Sequence, residues 1–425
     1  MLWTISIGFV LLLLIGMPIS ILLGALTTFT IWAHTDIPLV IIPQALFNAM
    51  DNFIMLAVPF FILAGSIMTR GTMAERLVRV IALAVGNFYG GLAIAGVIGC
   101  MFFAALSGSS PATVAAIGTI LIPALKKYGY DEDFSMGLIT TGGSLGIVIP
   151  PSIPMILYCL VMSESVGKLF MAGIGPGILI GLCFCIYVYI QSRRKGWRVT
   201  RTYTWQEVIK IIREGIWGMA LPFIVLGGIY AGYFTPTEAA AVSVCYALIV
   251  ELFIHKSFSL RELPKICNDA AVLSSAILFI IACAVTFIWL LTSHEIPIKI
   301  ADVIVAHVHS RAVFLILINL LFLIMGTFMD DVAAMLILAP LMSTTLARFN
   351  IDPIHFGVVM VLLIEFGFLT PPFGLNIFVT MGLTDHSLTR VSRSVIPSII
   401  ILLACVFIVT FVPQIALYLP NHIYR

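Results

Sequence analysis

Gly146-Ile147-Val148-Ile149-Pro150-Pro151-Ser152 stands deep in apolar sequence, and 221 residues later Gly367-Phe368-Leu369-Thr370-Pro371-Pro372-Phe373 repeats its plan. A proline inside a helix removes a backbone hydrogen bond and clashes with the preceding turn, at a cost of about 3 kcal/mol. In lipid the carbonyls freed in this way find no water. Two such breaks in corresponding places of two halves point to a secondary transporter, whose ion and substrate sites are built from discontinuous spans.

The surrounding composition fits a membrane. Of 425 residues 61% are hydrophobic and 10% are charged. Apolar runs near the ~20 residues that cross a hydrocarbon core recur at 5–32, 53–68, 169–190, 273–291 and 398–419. About ten to twelve membrane segments are expected, some of them interrupted. The first lacks a basic leader and a small-residue cleavage site, so it reads as an anchor and not as a signal peptide. No basic patch interleaves with aromatics, which excludes a nucleic-acid partner. The eight cysteines lie scattered in apolar stretches without a Cys-x-x-Cys, the pattern of small buried hydrophobes rather than of disulfides or a metal site. No Gly-x-x-x-x-Gly-Lys-Ser/Thr loop occurs, so transport would draw on a gradient or another subunit, and no cofactor is expected. An intramembrane enzyme is disfavoured, because the chain has no His-Glu-x-x-His and no Gly-x-Gly-Asp.

The correspondence extends past the prolines. At the same offset Asp131 falls on Asp352, Glu164 on Asp385 and Pro176 on Pro397. Upstream, an offset of 218 places Gly108 on Gly326 and Ser109 on Thr327. The fold class expected is an all-α polytopic membrane protein with two inverted-topology repeats, each holding a re-entrant hairpin and a proline-broken helix. An N-terminal span occupies 1–39, and repeat 1 occupies 40–190, with its hairpin at 89–126 and its broken span at 133–163. A cytoplasmic loop, central spans and interfacial helices fill 191–269. Repeat 2 occupies 270–425, with its hairpin at 312–347 and its broken span at 354–383.

Inversion follows from charge. The loop holding Arg193, Arg194, Lys195, Arg198 and Arg201 is cytoplasmic by the positive-inside rule. Threading outward from it leaves, of 22 Lys and Arg, only Lys168, Lys299, Arg311, Arg348 and Arg425 outside. That distribution requires the two hairpins to enter from opposite sides. Residues 205–213 and 260–269 mix apolar and charged positions at helical spacing and are expected as interfacial helices.

Candidate chemistry gathers at the hairpin tips and the broken turns. The first tip reads Ser107-Gly108-Ser109-Ser110-Pro111-Ala112-Thr113. Its hydroxyls suit either a helix cap or a hard cation, and facing the unpaired carbonyls before Pro150-Pro151 they make an oxygen cage of the kind sodium needs. The second tip, Gly326-Thr327-Phe328-Met329-Asp330-Asp331, faces residues 367–373. Two acids in apolar sequence are functional by default in a membrane, although one of them suffices to cap the next helix. Glu365, two residues before the second turn, tunes the ion site, carries a proton or makes an interhelical bond. Neither tip nor either turn contains Lys or Arg, so an anion would bind at helix N-termini. Ser152, Asn376 and Thr380 start or follow the half-helices and are candidate substrate donors or ordinary caps. Thr235-Pro236-Thr237-Glu238 reads as a helix start, and His307 and His309 as exposed loop residues.

Taken together, residues 107–113, 142–154, 235–241 and 367–376 resemble the large membrane subunit of tripartite ATP-independent periplasmic (TRAP) transporters, over essentially the whole chain. The resemblance implies an elevator-type sodium symporter in the cytoplasmic (inner) membrane of a bacterium or archaeon. Implied partners are a small four-helix membrane subunit, expected here as a separate chain, and a soluble periplasmic binding protein that delivers an organic carboxylate of the dicarboxylate, sugar-acid or sialic-acid type. It implies one sodium at Ser107, Ser110, Gly146, Ile149 and Pro151, and a second at Gly326, Gly367, Thr370 and Phe373, several through backbone carbonyls. A self-sufficient sodium/dicarboxylate symporter on a related fold is the alternative.

Overall fold

Where apolar sequence runs without a breaker the chain is helical, and it turns where Gly, Pro or a capping residue intervenes. A computed structural model describes residues 1–199 and 203–424, apart from the side chains of Leu2 and Asp331; Arg201 of the basic loop lies outside the described residues. All regular elements among them are helices. The first apolar run, expected as one span, forms α1 (Leu2–Leu14) and α2 (Ile19–His34). Gly16, at φ +78°, and Pro18 break it, because neither continues a helix there. Then follow α3 (Ile41–Met50), α4 (Ala57–Arg70) and α5 (Met73–Val85).

The first broken span sits behind a helical pair. α6 (Gly91–Ser107) and α7 (Ser110–Lys127) are joined by Gly108, left-handed at φ +61°, and by extended Ser109. α8 (Glu132–Gly142) begins at Asp131, whose carboxylate accepts the Phe134 N–H. It passes into one turn, α9 (Leu145–Val148), stops at the proline pair, and resumes as α10 (Ile153–Met162) with Ser152 as N-cap. The 30-residue α11 (Val166–Lys195) closes the unit. In the middle stand α12 (Trp205–Tyr230), α13 (Pro236–Ile249), α14 (Leu263–Ser293) and α15 (Ile296–His307). α13 opens with a capping box in which Thr235 and Glu238 satisfy each other's backbone N–H groups. The earlier order of elements then recurs in α16 (Arg311–Phe328), α17 (Asp331–Arg348), α18 (Pro353–Ile364), α19 (Phe366–Leu369), α20 (Leu375–Thr384) and α21 (Leu388–Phe411), before α22 (Gln414–Ile423).

The copies differ in register. α7 and α17 begin 221 residues apart, which puts Gly326 in the last turn of α16 rather than opposite Gly108. Past the second proline pair the chain holds an extra residue, Gly374 at φ +38°. The helix starts at Ile153 and Leu375, and the caps Ser165 and Ser387, are therefore offset by 222. Glu164 with Asp385, and Pro176 with Pro397, are each one residue out of step.

Residues 205–213 do not form a separate interfacial helix. They are the first turns of α12, started by the Thr204–Glu207 capping box, and no breaker separates them from the apolar part. Residues 263–269 likewise run straight into α14. Seven helical segments among the described residues are long and apolar enough to cross a bilayer, and shorter apolar helices accompany them.

One continuous core runs through the chain from Ile5 to Ala416 and crosses the seam between the two units. The hydroxyl of fully buried Tyr158 on α10 donates to the Pro353 carbonyl at the start of α18, at 2.6 Å. Its ring covers Gly357 so closely that a Cβ there would come within 2.6 Å of it. Tyr158→Phe leaves that carbonyl unpaired, and a loss of about 1–2 kcal/mol is expected. The melting temperature in detergent reports it, and an unchanged value would show that the bond contributes nothing. At one end of the same interface Arg390 reaches Asp133 at 2.7 Å and Glu132 at 3.1 Å, and Lys126 reaches Glu132 at 2.7 Å.

Candidate functional site

The α6–α7 tip is a ring of oxygens. Ser107 Oγ lies 3.1 Å from Thr113 Oγ1 and 3.3 Å from the Ser109 carbonyl, which also accepts the Thr113 hydroxyl at 2.9 Å. Gly146 closes on this ring. A Cβ there would lie 2.6 Å from the Ser109 carbonyl oxygen and 2.8 Å from Thr113 Oγ1, too near for any side chain. Beside it the Ile153 N–H donates to the Gly108 carbonyl at 3.4 Å, and a Cβ on Gly108 would sit 2.9 Å from the Pro151 carbonyl oxygen. Ser107, Gly146 and Pro151 therefore meet at one place. The Ile149 side chain packs on Gly177 of α11, so only its backbone is available to this tip.

The second tip meets its turn backbone to backbone. A Cβ on Gly367 would run into the Gly326 carbonyl. The carbonyls of Gly367 and Thr370 both accept the Gly374 N–H, at 3.0 and 3.1 Å, and thus converge. The Thr370 hydroxyl donates to the Phe366 carbonyl at 2.6 Å, and the Phe373 ring stacks on Phe368 with centroids 6.3 Å apart. Pro150 and Pro151 are buried, whereas Pro371 and Pro372 are exposed.

Both tips border a cavity of about 620 Å³. Four helices begin on its wall: α7 at Ser109 and Ser110, α10 at Ile153, α17 at Asp330 and Val332, and α20 at Leu375. The dipole at such helix starts favours negative charge. The opposite wall is α4, with Gly65, Ser66 and Thr69, and α14. Arg70 and Lys265, with Glu262 and Asp269, also come from that side, and neither tip nor either broken turn contributes a Lys or Arg to the lining.

Beneath the cavity floor a polar network joins the units. Ser110 Oγ donates to Glu365 Oε1 at 2.6 Å, and Asn376 Nδ2 donates to Ser110 Oγ at 2.7 Å and to Glu365 Oε1 at 3.2 Å. The hydroxyls of Thr140 and Thr380 lie 2.7 Å apart in the same layer. All five side chains are buried. Three sequence candidates, Ser110, Asn376 and Thr380, thus come together around Glu365. Ser152 stands apart as a cap, its Oγ accepting the Met155 N–H at 3.4 Å. Asp330 lines the cavity at the start of α17; the Asp331 side chain lies outside the described residues. Sequence reading had Thr113 among the hydroxyls of the first tip and missed Thr140. Thr140 carried a signal, being a polar residue in a membrane-length apolar stretch. Among the described residues no group of three or more His, Cys, Asp or Glu assembles to hold a metal, and His307 and His309 are exposed.

Three comparisons bear on this arrangement. The family model for the tripartite ATP-independent periplasmic transporter, DctM component, matches residues 6–415. The C4-dicarboxylate TRAP transporter large permease protein DctM of Pseudomonas aeruginosa is 44% identical over 376 residues, 88% of each chain. Its namesake from Rhodobacter capsulatus is 40% identical over 424 residues, 96% of each. The crystal structure of the YdaH transporter of Alcanivorax borkumensis superposes with a TM-score of 0.69 at 14% identity, covering 97% of this chain and 99% of that one, which is a likeness of fold alone. A multi-pass, all-helical chain with two broken spans around one cavity, matched over 88–96% of its length by these permeases, belongs to the DctM family of TRAP transporter large permease subunits.

Proposed function

We propose that this permease imports an organic carboxylate, of the C4-dicarboxylate kind named for its relatives, across the cytoplasmic membrane, driven by sodium. The observation that carries the reading is the convergence of four helix N-termini and two oxygen-lined turns on one cavity. Its volume, about 620 Å³, falls within the ~300–1,000 Å³ of small-molecule sites. The dipoles of these N-termini favour a carboxylate, with Ser152, Asp330, Asp331, Asn376 and Thr380 nearby in sequence. Sodium takes oxygen ligands, hydroxyl and carbonyl alike. One ion belongs with Ser107, Ser110, Gly146, Ile149 and Pro151, the other with Gly326, Gly367, Thr370 and Phe373.

The recurrence of elements and the charge asymmetry support two inverted repeats, and the cross-unit bonds of Tyr158 and the Glu365 network support the two hairpins and two broken spans moving as one body against a scaffold. The facing wall of α4 packs closely on the first tip: a Cβ on Gly65 would already lie 3.3 Å from Ser107 Cα. Delivery would come from a periplasmic binding protein, and a small four-helix membrane subunit would cover part of the exposed apolar surface of the scaffold.

The permease reconstituted in liposomes with both partners is expected to accumulate a C4-dicarboxylate under an inward sodium gradient. Potassium in place of sodium should reduce uptake to background. Uptake that ignores the exchange would overturn sodium coupling, and full uptake without the binding protein would overturn the tripartite reading.

A further inference from the structure

We propose that Glu365 and Asn376 form a third cation site, separate from the two turns, that takes one desolvated alkali cation of sodium's kind. Glu365 lies between α18 and α19 and has no exposed surface. Its Oε1 accepts from Ser110 and Asn376, whereas Oε2 has no hydrogen-bond partner. The amide oxygen of Asn376, also fully buried, has none either.

The orientation of that amide is fixed by its neighbours. Its nitrogen faces three acceptors: Ser110 Oγ, Glu365 Oε1 and the Thr140 carbonyl at 3.4 Å. Exchanging oxygen for nitrogen would set an acceptor against the carboxylate and the carbonyl. Two adjoining side chains therefore each keep an oxygen with free lone pairs, and among the described residues no donor answers either.

Among the described residues Glu365 makes no ion pair, and its carboxylate bonds to Ser110 and Asn376. Its bonded neighbours Ser110 on α7 and Asn376 on α20, and Thr140 and Thr380, which Asn376 reaches in turn, are uncharged. An ionised carboxylate buried without a partner is unstable in a protein interior. Free acceptor oxygens call for a cation, and hard oxygen donors select a hard one. A single negative charge balances a monovalent ion rather than a divalent one.

The naming of sodium rests on the proposed coupling ion; the site itself rests on the orphaned oxygens. Its reach is from the first tip, through Ser110, to the chain two residues before Gly367. An ion held here would therefore link occupancy at one turn to occupancy at the other.

The test is equilibrium binding of radioactive sodium to the purified permease in detergent, with sodium-dependent melting temperature as a second reading. Glu365→Gln keeps the shape and removes the charge. It is expected to bind one sodium fewer per chain and to lose part of the sodium-dependent rise in melting temperature. Glu365→Asp, which withdraws the carboxylate by one carbon, and Asn376→Ala should keep the full count at weaker affinity. An unchanged count and affinity in all three variants would overturn the site while leaving sodium coupling intact. A wild-type count in Glu365→Gln together with lost proton uptake would assign a proton and also overturn it. A wild-type protein that binds no sodium would overturn this site and the proposed coupling together.

Discussion

Gly146→Val is expected to abolish sodium-driven uptake, by about 100-fold or more, while the protein still reaches the membrane. The added carbons have nowhere to go. Even one Cβ would stand 2.6 Å from the Ser109 carbonyl and 2.8 Å from Thr113 Oγ1, oxygens held by the tip's own hydrogen bonds. Overpacking of this kind costs about 1–3 kcal/mol. The chain relieves it by moving the tip away from the broken turn, which separates oxygens that must lie within about 2.5 Å of one hard cation. A displacement near 1 Å at such a site is worth about 100-fold in rate. Gly146→Ala should be intermediate, with uptake recovering at higher sodium. Gly227→Ala is the control, because a Cβ there meets nothing within 4 Å. Uptake at the wild-type rate by a well-expressed Gly146→Val protein would show that tip and turn need not touch.

Such contacts explain what could be read from the sequence. The breaks were legible because proline and glycine act locally: Pro150-Pro151 and Pro371-Pro372 interrupt their helices whatever surrounds them, and Gly108 turns α6 into α7. The break at Gly16 and Pro18 had the same local signal but was absorbed into an apolar run read as one span. The register slip at Gly374 was hidden because matching identical residues favours a constant offset, whereas the caps Ser165 and Ser387 follow the backbone. Continuity of α12 and α14 through their charged first turns was missed for a related reason. Charge changes which solvent a turn prefers and does not stop a helix. The network around Glu365 is different in kind. Ser110 lies 255 residues from Glu365 and 266 from Asn376, and no local pattern marks those three as neighbours.

Glu251 is the other residue of this kind, and Glu251→Ala is expected to cost about 3–5 kcal/mol of stability, read as a large drop in melting temperature in detergent. Its carboxylate has no exposed surface. It accepts the Met73 N–H at 2.8 Å, the first free N–H of α5, and the Ser257 hydroxyl, with His255 Nδ1 at 3.5 Å. The chain reaches this geometry by a widened turn over Val250–Ile254, where the His255 N–H bonds back five residues to the Val250 carbonyl. Gly71 lies against the carboxylate so closely that a Cβ would collide with it. Truncation strands the helix-start N–H and two side-chain partners in a void, and each buried orphan adds its own desolvation cost. Glu251→Gln keeps an acceptor for Met73 and should lose less. The effect reaches the cavity, because the clamped turn follows Arg70 and anchors α4, whose Gly65, Ser66 and Thr69 form the wall facing the first tip. Uptake should therefore fall in the same order as melting temperature, Ala below Gln below wild type. A Glu251→Ala protein that melts within a degree of wild type would show that the α4–α5 turn holds without its clamp.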